Sequence, residues 1–338
     1  MSWTNLLAAD PRPWLLEDCN PAVRASTLTR LLDRDPADSD VVRARAEAMN
    51  AEPIRAILSA QDPAGFWVKR GAGYAPKYQG TVWQLTFLDQ LGADPADERI
   101  ARACEYVLSH TPTTAGGFGA SGVLDAVPAP SRAIHCLNGN LLRALLGFGY
   151  ADDPRVQAAV DWAARTITGQ DVPRWYASGT SGPGFACAAN EGQPCAWGAV
   201  KELLALARVP QSQRGPLVER AVIEGVEFLL SRDPAVADYP FPSDDEQPSR
   251  AWFTLGFPVA YVTDVLQNLE ALAELGHLSD PRATNALDWL LRQQVQPGRW
   301  RNRNAYNRRT TIEIEHQGTV SKWVTLRACT VLKVACGS

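Results

Sequence analysis

The chain has 338 residues, 46% of them hydrophobic and 21% charged, which is enough to bury a large core. Its formal net charge of -4 and pI near 5.7 point away from nucleic acid and anionic membranes, which call for clustered Lys and Arg. Met1 to Leu6 show no basic stretch leading into an apolar run, and no run reaches the ~18 apolar residues a bilayer span needs. With seven cysteines, an odd number, and no export signal, reduced thiols in a cytoplasm are expected rather than a disulfide framework.

Residues 1–19 read as an N-terminal extension, and the rest reads as helix after helix. Asn20-Pro21, Asp94-Pro95, Asp153-Pro154 and Asp280-Pro281 carry a helix-start signature. The Asx oxygen accepts from free backbone N–H groups, and proline at the first helical position gives up a donor that had no partner. Gly92, Gly149 and Gly276 precede such starts, as left-handed helix ends do. A first hairpin is expected from Pro21 to Ala60. Apolar helices opening on small or aromatic residues follow at Gly80–Leu91, Cys136–Phe148, Cys195–Ala207, Phe257–Leu275 and Ser321–Val334. They alternate with amphipathic ones at Asp97–His110, Pro154–Thr168, Arg214–Ser231 and Pro281–Gln293. The apolar class should be buried on most sides. The cap positions recur at roughly 60 residues, two helices per unit, and such units bury their apolar faces only by stacking. No stretch alternates cleanly enough to be a strand, and no Gly/Ser-rich linker divides the chain. The expectation is one all-α domain over 1–338: an α/α toroid of about six inner/outer hairpins.

Gln61-Asp62-Pro63-Ala64-Gly65-Phe66-Trp67 and Gln294-Val295-Gln296-Pro297-Gly298-Arg299-Trp300 share the pattern Q-x3-G-x-W, and Gln170 to Trp175 is a copy without the glycine. This resembles the QW-type motif of squalene–hopene and other triterpene cyclases. The wider resemblance, over residues 20–335, is to the prenyltransferase and squalene-cyclase repeat family, in particular its single-toroid bacterial members. It implies an α/α toroid in which Gln and Trp tie neighbouring helices together on the outside. The aspartates that carry the family's chemistry do not match. Asp33, Asp35, Asp38 and Asp40 do not form D-x-D-D, Asp152-Asp153 does not complete D-D-x-x-D, and Asp244-Asp245-Glu246 has neither spacing.

Three constellations remain. Cys136 and Cys195 each open an inner helix, and Cys187 lies in the loop Ser181–Gln193, so all three should meet at one ring mouth. They are candidate zinc ligands, with His135 beside them and Asp264 as a fourth. The alternatives are inert buried thiols, or a nucleophilic Cys195 or Cys136 with His135 as base toward Cys195 or Cys187. Asp264, inside an apolar helix, would be an acid or base with a raised pKa if it faces a cavity; otherwise it pairs with Lys201 or Lys322. Trp83, Trp197, Trp252, Tyr261 and Trp323 could wall a central apolar cavity, with Gln84, Asn138, Asn140, Lys201 and Lys322 orienting a ligand; core packing is the alternative. Arg299, Arg301, Arg303, Arg308 and Arg309 read first as a solvated loop and second as an anion site. His110, His277 and His316 have no evident partner. Gly116–Gly122 and Gly179–Gly184 match no nucleotide-binding fingerprint, so no nucleotide cofactor is expected, and they read as loops over the mouth. The function expected is an enzyme with a central apolar cavity acting on a small hydrophobic, isoprenoid-like molecule. A non-catalytic lipid-binding toroid, a promiscuous hydrolase and a filled scaffold are the alternatives.

Overall fold

Short polar side chains set about half of the helix starts in the computed structural model, which describes residues 2–121, 126–172, 180–241 and 247–337. Asn20 accepts from Val23 N–H, Asp153 from Arg155 N–H, Asp280 from Arg282 N–H and Ser321 from Val324 N–H. The helices are α1 (Arg12–Leu15), α2 (Pro21–Arg30), α3 (Ser39–Asn50), α4 (Ile54–Ser59), α5 (Thr81–Gln90), α6 (Glu98–His110) and α7 (His135–Gly147). They continue as α8 (Pro154–Thr168), α9 (Ala196–Leu206), α10 (Pro216–Leu230), α11 (Val265–Glu274), α12 (Thr284–Arg292) and α13 (Lys322–Ala335). Two short strands, β1 (Trp300–Arg301) and β2 (Val320–Ser321), pair antiparallel before α13. The sequence pattern did not show them.

One start signature and one boundary differ from expectation. Asp94 only closes a turn onto Ala96 N–H, and Asp97 caps α6. The helix expected over Phe257–Leu275 begins at Val265. Pro258 disfavours helix at Phe257 and lacks a donor of its own, and Asp264 turns its side chain to Gln267 N–H as the cap of α11. Asp264 is therefore not inside a helix.

The most buried helices, α2, α5, α7, α9, α11 and α13, form the inner wall. In α9 every residue except Trp197 is buried, because it packs on α7, α10 and α11 together. The neighbours run α5–α7–α9–α11–α13, and α13 packs on α2, which closes the ring. Lys333 at the end of α13 binds the Asp33 carboxylate at 2.6 Å and Arg30 O at 3.0 Å. The N-terminal segment lies against the same last unit. Lys322 meets Glu17 at 2.9 Å, and Arg299 lies 4.3 Å over the Trp14 ring.

Both Q-x3-G-x-W copies do the same mechanical task. Trp67 Nε1–H donates to Ile57 O at 2.7 Å and Trp300 Nε1–H to Leu290 O at 2.9 Å. Their backbone N–H groups reach an inner helix, at Thr81 Oγ1 (3.2 Å) and Thr325 Oγ1 (3.0 Å). Gln61 Nε2–H bridges to Arg99 O of the next unit at 2.8 Å, whereas Gln294 stays local, on Leu291 O and Gly298 N–H. Gly65, at φ +95°, lies so close to α6 that a Cβ would fall 2.7 Å from Arg102 O. Trp175 of the third copy lies outside the described residues, as do Gly122, Gly179, Asp244, Asp245 and Glu246.

The ring centre is not an apolar cavity. Arg143–Glu274 (2.7 Å), Arg208–Asp89 (2.5 Å) and Arg327–Glu270 (2.6 Å) cross it between inner helices and leave a void of only about 60 Å³. These six charges, several of them only half-buried, are tolerable there because each has an opposite partner.

Candidate functional site

Helices α7 and α9 approach more closely than side chains normally allow. A Cβ on Gly198 would lie 2.8 Å from the Cβ of His135, and one on Gly139 would meet the Glu202 backbone N at 2.5 Å. This approach brings the starts of the two helices together at one end of the ring, with Cys136 on α7 and Cys195 at the N-cap of α9. The loop 180–194 folds over them through backbone bridges Ser181–Cys187 and Ala186–Pro194. Cys195 N–H donates to Phe185 O at 2.9 Å, and Asn190 Nδ2 holds Gln193 O, Pro194 O and Pro240 O.

Beneath that loop lies a cavity of about 240 Å³ with mostly apolar walls. Cys136, Cys187 and Cys195 all line it, together with Tyr74, Trp197 and Tyr261. Trp197 stands edge-on to Tyr261, with ring centroids 5.7 Å apart. Lys77 reaches in with its Nζ 3.5 Å over the Tyr261 ring, and burial lowers its pKa against the opposing influence of Cys136. Trp197 Nε1–H is buried and has no acceptor among the described residues.

The three thiols differ electrostatically. The Cys195 S–H bond to Cys187 sulfur is the largest influence on Cys187, followed by opposing burial, then the backbone N–H of Ala189. Together with His135 and Asn190 N–H these bring Cys187 down to about 6. Cys195, the proton donor of the pair, is pushed up by the same bond and by burial. Burial pushes Cys136 up to about 12. Cys187 is therefore the most readily ionised of the three thiols.

His135 does not serve these sulfurs as a base. Its Nε2 lies 3.0 Å from Gly182 O and its Nδ1 3.0 Å from Glu202 Oε1, so both ring nitrogens are engaged. Burial opposes the charge on His135, but the Glu202 carboxylate outweighs it and the imidazole pKa is raised. Burial likewise raises Glu202 against the pull of His135. The pair is fully buried, its two members 3.0 Å apart. Glu202 carried no sequence signal beyond its place on an apolar helix.

Among the described residues no three His, Cys, Asp or Glu side chains converge closely enough to hold one metal ion. Asp264 does not line the cavity that the three cysteines share.

The sequence matches no protein-family profile and no curated protein. Among solved structures, an unsaturated glucuronyl hydrolase specific for heparin superposes with a TM-score of 0.52 at 13% identity, covering 97% of this chain and 87% of that one. The chain is an α/α toroid. The type II terpene cyclase MstE from Scytonema aligns over 86% of this toroid at 16% identity, but its TM-score of 0.32 is too low to carry an argument.

Of the other residues expected at the site, only Trp197 and Tyr261 line the mouth cavity of the toroid. Trp83 is core, donating to Tyr74 O at 2.7 Å and packing on Tyr74 and Tyr78. Trp252 packs on Tyr239, and Trp323 stacks on Phe257 at 4.5 Å. Gln84 holds Gln79 O, Asn138 clamps both backbone groups of Phe118, and Asn140 donates to Ala260 O. Lys322 faces Glu17. Lys201 sits in the ring centre bonded to Gln267, and burial brings its pKa down to about 7. Asp264 is a buried cap accepting from Gln267 N–H (2.8 Å) and Gly256 N–H (3.2 Å), 4.0 Å from Arg327 rather than paired to Lys201 or Lys322. Burial raises its pKa against the pull of Arg327. Tyr74, Lys77 and Thr180 line the cavity from loops, where sequence periodicity carries no information.

Proposed function

We propose that this toroid is an enzyme acting at the mouth cavity on a small, mostly apolar carbonyl compound, with Cys187 as nucleophile. The observation that carries this is the meeting of Cys136, Cys187 and Cys195 in one aromatic-walled cavity, where the neighbouring Cys195 lowers the Cys187 pKa. The thiolate attacks the acyl carbon of an ester or thioester; a C–S bond forms and the bond to the leaving group breaks. The leaving group takes the Cys195 proton. Water then cleaves the acyl–sulfur bond, releasing the acid and returning the proton to Cys195. The unpartnered Trp197 indole N–H supports a carbonyl ligand, for which it is one donor at the cavity beside Lys77 and Thr180.

A second reading is favoured by His135, whose engaged nitrogens leave the thiols without a free base. In that reading the toroid holds the apolar molecule without turnover. A panel of short acyl esters and thioesters, tested on wild type and on Cys187→Ser and Cys195→Ser, separates the two. Turnover lost at least about a hundredfold in Cys187→Ser supports the enzyme. Saturable binding without turnover supports the binding protein, and turnover indifferent to Cys187 refutes the proposed nucleophile. Metal content of the same preparations tests the zinc expectation: one zinc per chain, lost in each of Cys136→Ser, Cys187→Ser and Cys195→Ser, would make the cysteines ligands instead.

A further inference from the structure

At the far ends of the inner helices, away from the cysteines, the toroid carries a second and larger opening. It is a groove of about 600 Å³ between the first hairpin, α2 and α3, and the C-terminal ends of α5 and α7. Alanines at 22, 25, 46 and 48 form much of its wall, so the space exists because these side chains are short. Phe148 and Leu91 complete an apolar lining.

Its charged groups are asymmetric. Arg30 from α2 and Arg45 from α3 both face the groove. Elsewhere in this chain arginines are mostly held by carboxylates, as Arg143, Arg208, Arg282 and Arg327 are. Among the described residues Arg30 has no carboxylate within ion-pair distance, its electrostatic partner being Glu274 at the ring centre, and Arg45 has only a 3.5 Å contact to Pro36 O. The acids at the groove are already committed. Asp94 Oδ1 takes Ala96 N–H, and Asp89 Oδ1 takes Arg208. Asp33, next to α2, is held by Lys333. Asp89 lies on the floor and is shared with the ion-paired ring centre. Only one of its oxygens is bonded to Arg208, so the other can accept from a ligand.

We infer that this groove binds a small organic oxyanion, a carboxylate or phosphate ester, with a compact apolar body and a hydroxyl or amine. Two guanidinium forks on adjacent helices match an oxyanion bidentately. The alanine walls take the apolar body, and the floor carboxylate receives the hydroxyl or amine hydrogen. A ligand with charge at one end and a donor at the other is oriented by these groups, because the reversed pose sets its anion against Asp89. The site shares no residue with the mouth cavity, so it stands or falls independently of the cysteine chemistry.

Calorimetric titration of the full chain with glycerol phosphate and with 3-hydroxybutyrate tests the inference, with sodium chloride at equal ionic strength as control. Saturable binding of one or both probes is expected, and which of them binds assigns the phosphate or the carboxylate class. Arg30→Gln with Arg45→Gln should weaken the bound probe at least about tenfold, since each charge-assisted hydrogen bond removed costs about that factor. Ala46→Trp, placed at an exposed position of α3, should weaken it as well by filling the groove while leaving both arginines. Unfolding midpoints within about two degrees of wild type establish that these surface variants fold. Absence of saturable binding for both probes overturns the inference, as does binding undiminished in the double arginine variant.

Discussion

Cys187 should titrate far below the other thiols, and the size of the effect follows from its surroundings. Its pKa falls from 9.0 to about 6, chiefly through the Cys195 S–H bond. At pH 7 that changes the thiolate fraction from about 1% to about 90%. A less basic thiolate is also a poorer nucleophile. With a Brønsted slope near 0.45, the drop costs about twentyfold per thiolate, so the net gain in alkylation rate at pH 7 is only about fourfold. The rate alone is therefore a weak diagnostic, and the pH profile is the strong one. Iodoacetamide labelling from pH 5 to 9, with the modified peptides quantified by mass spectrometry, should give a midpoint near 6 at Cys187. Cys136, pushed up to about 12, should remain unlabelled over that range. Cys195→Ala removes the principal donor and should carry the Cys187 midpoint upward toward 9. A wild-type midpoint above 8 would refute the reasoning. So would a midpoint still at 6 in Cys195→Ala, because the S–H donor would then not be the cause.

Three further outcomes concern stability. Glu202→Leu leaves His135 without its buried partner and should cost about 3–5 kcal/mol in denaturant unfolding, while Glu202→Leu combined with His135→Phe should recover most of that loss; additive single effects would show that the pair is not coupled. Trp300→Phe keeps the ring but removes the hydrogen bond to Leu290 O and should cost about 1–2 kcal/mol. Gly65→Ala, at φ +95° against Arg102 O, should cost more than about 1 kcal/mol, and a thermal midpoint unchanged in Gly65→Ala would mean that α6 gives way freely.

Much of the ring was legible because helix starts and periodicity are local properties. Pro154–Thr168 was read to the residue, since Asp153 caps it, Pro154 opens it and Gly169 ends it. The shared mouth of Cys136, Cys187 and Cys195 was legible for a related reason: residues at equivalent helix starts of successive units must lie at the same end of the ring. Side-chain partners across the ring were not. The helix pattern marks Glu202, Lys201 and Gln267 only as polar residues on apolar helices. Asp264 was placed within a helix because an apolar run continues across Pro258, and only the folded chain shows its side chain turned back as a cap. Aromatics on inner helices were overread as a cavity wall because periodicity says which face is buried but not whether it meets a void. Trp83 meets other rings instead, while Trp323 stacks on Phe257 beside the small central void.

The joint between α13 and α2 has a consequence for the folding path. Lys333 and Asp33 are separated by 300 residues, and closing a loop of that length costs about 5 kcal/mol of chain entropy before any contact repays it. Hairpins can assemble in sequence along the chain, each on its predecessor, but α2 stays bare on one side until the last unit arrives. Folding should therefore be slow relative to the helix content, with the seam as its late step. For the same reason the ring has no privileged starting unit. A circular permutant that joins the segment before α1 to the end of α13 through a linker, and is cut at an exposed turn between units, keeps every inner-helix neighbour while removing the long-range closure from the seam.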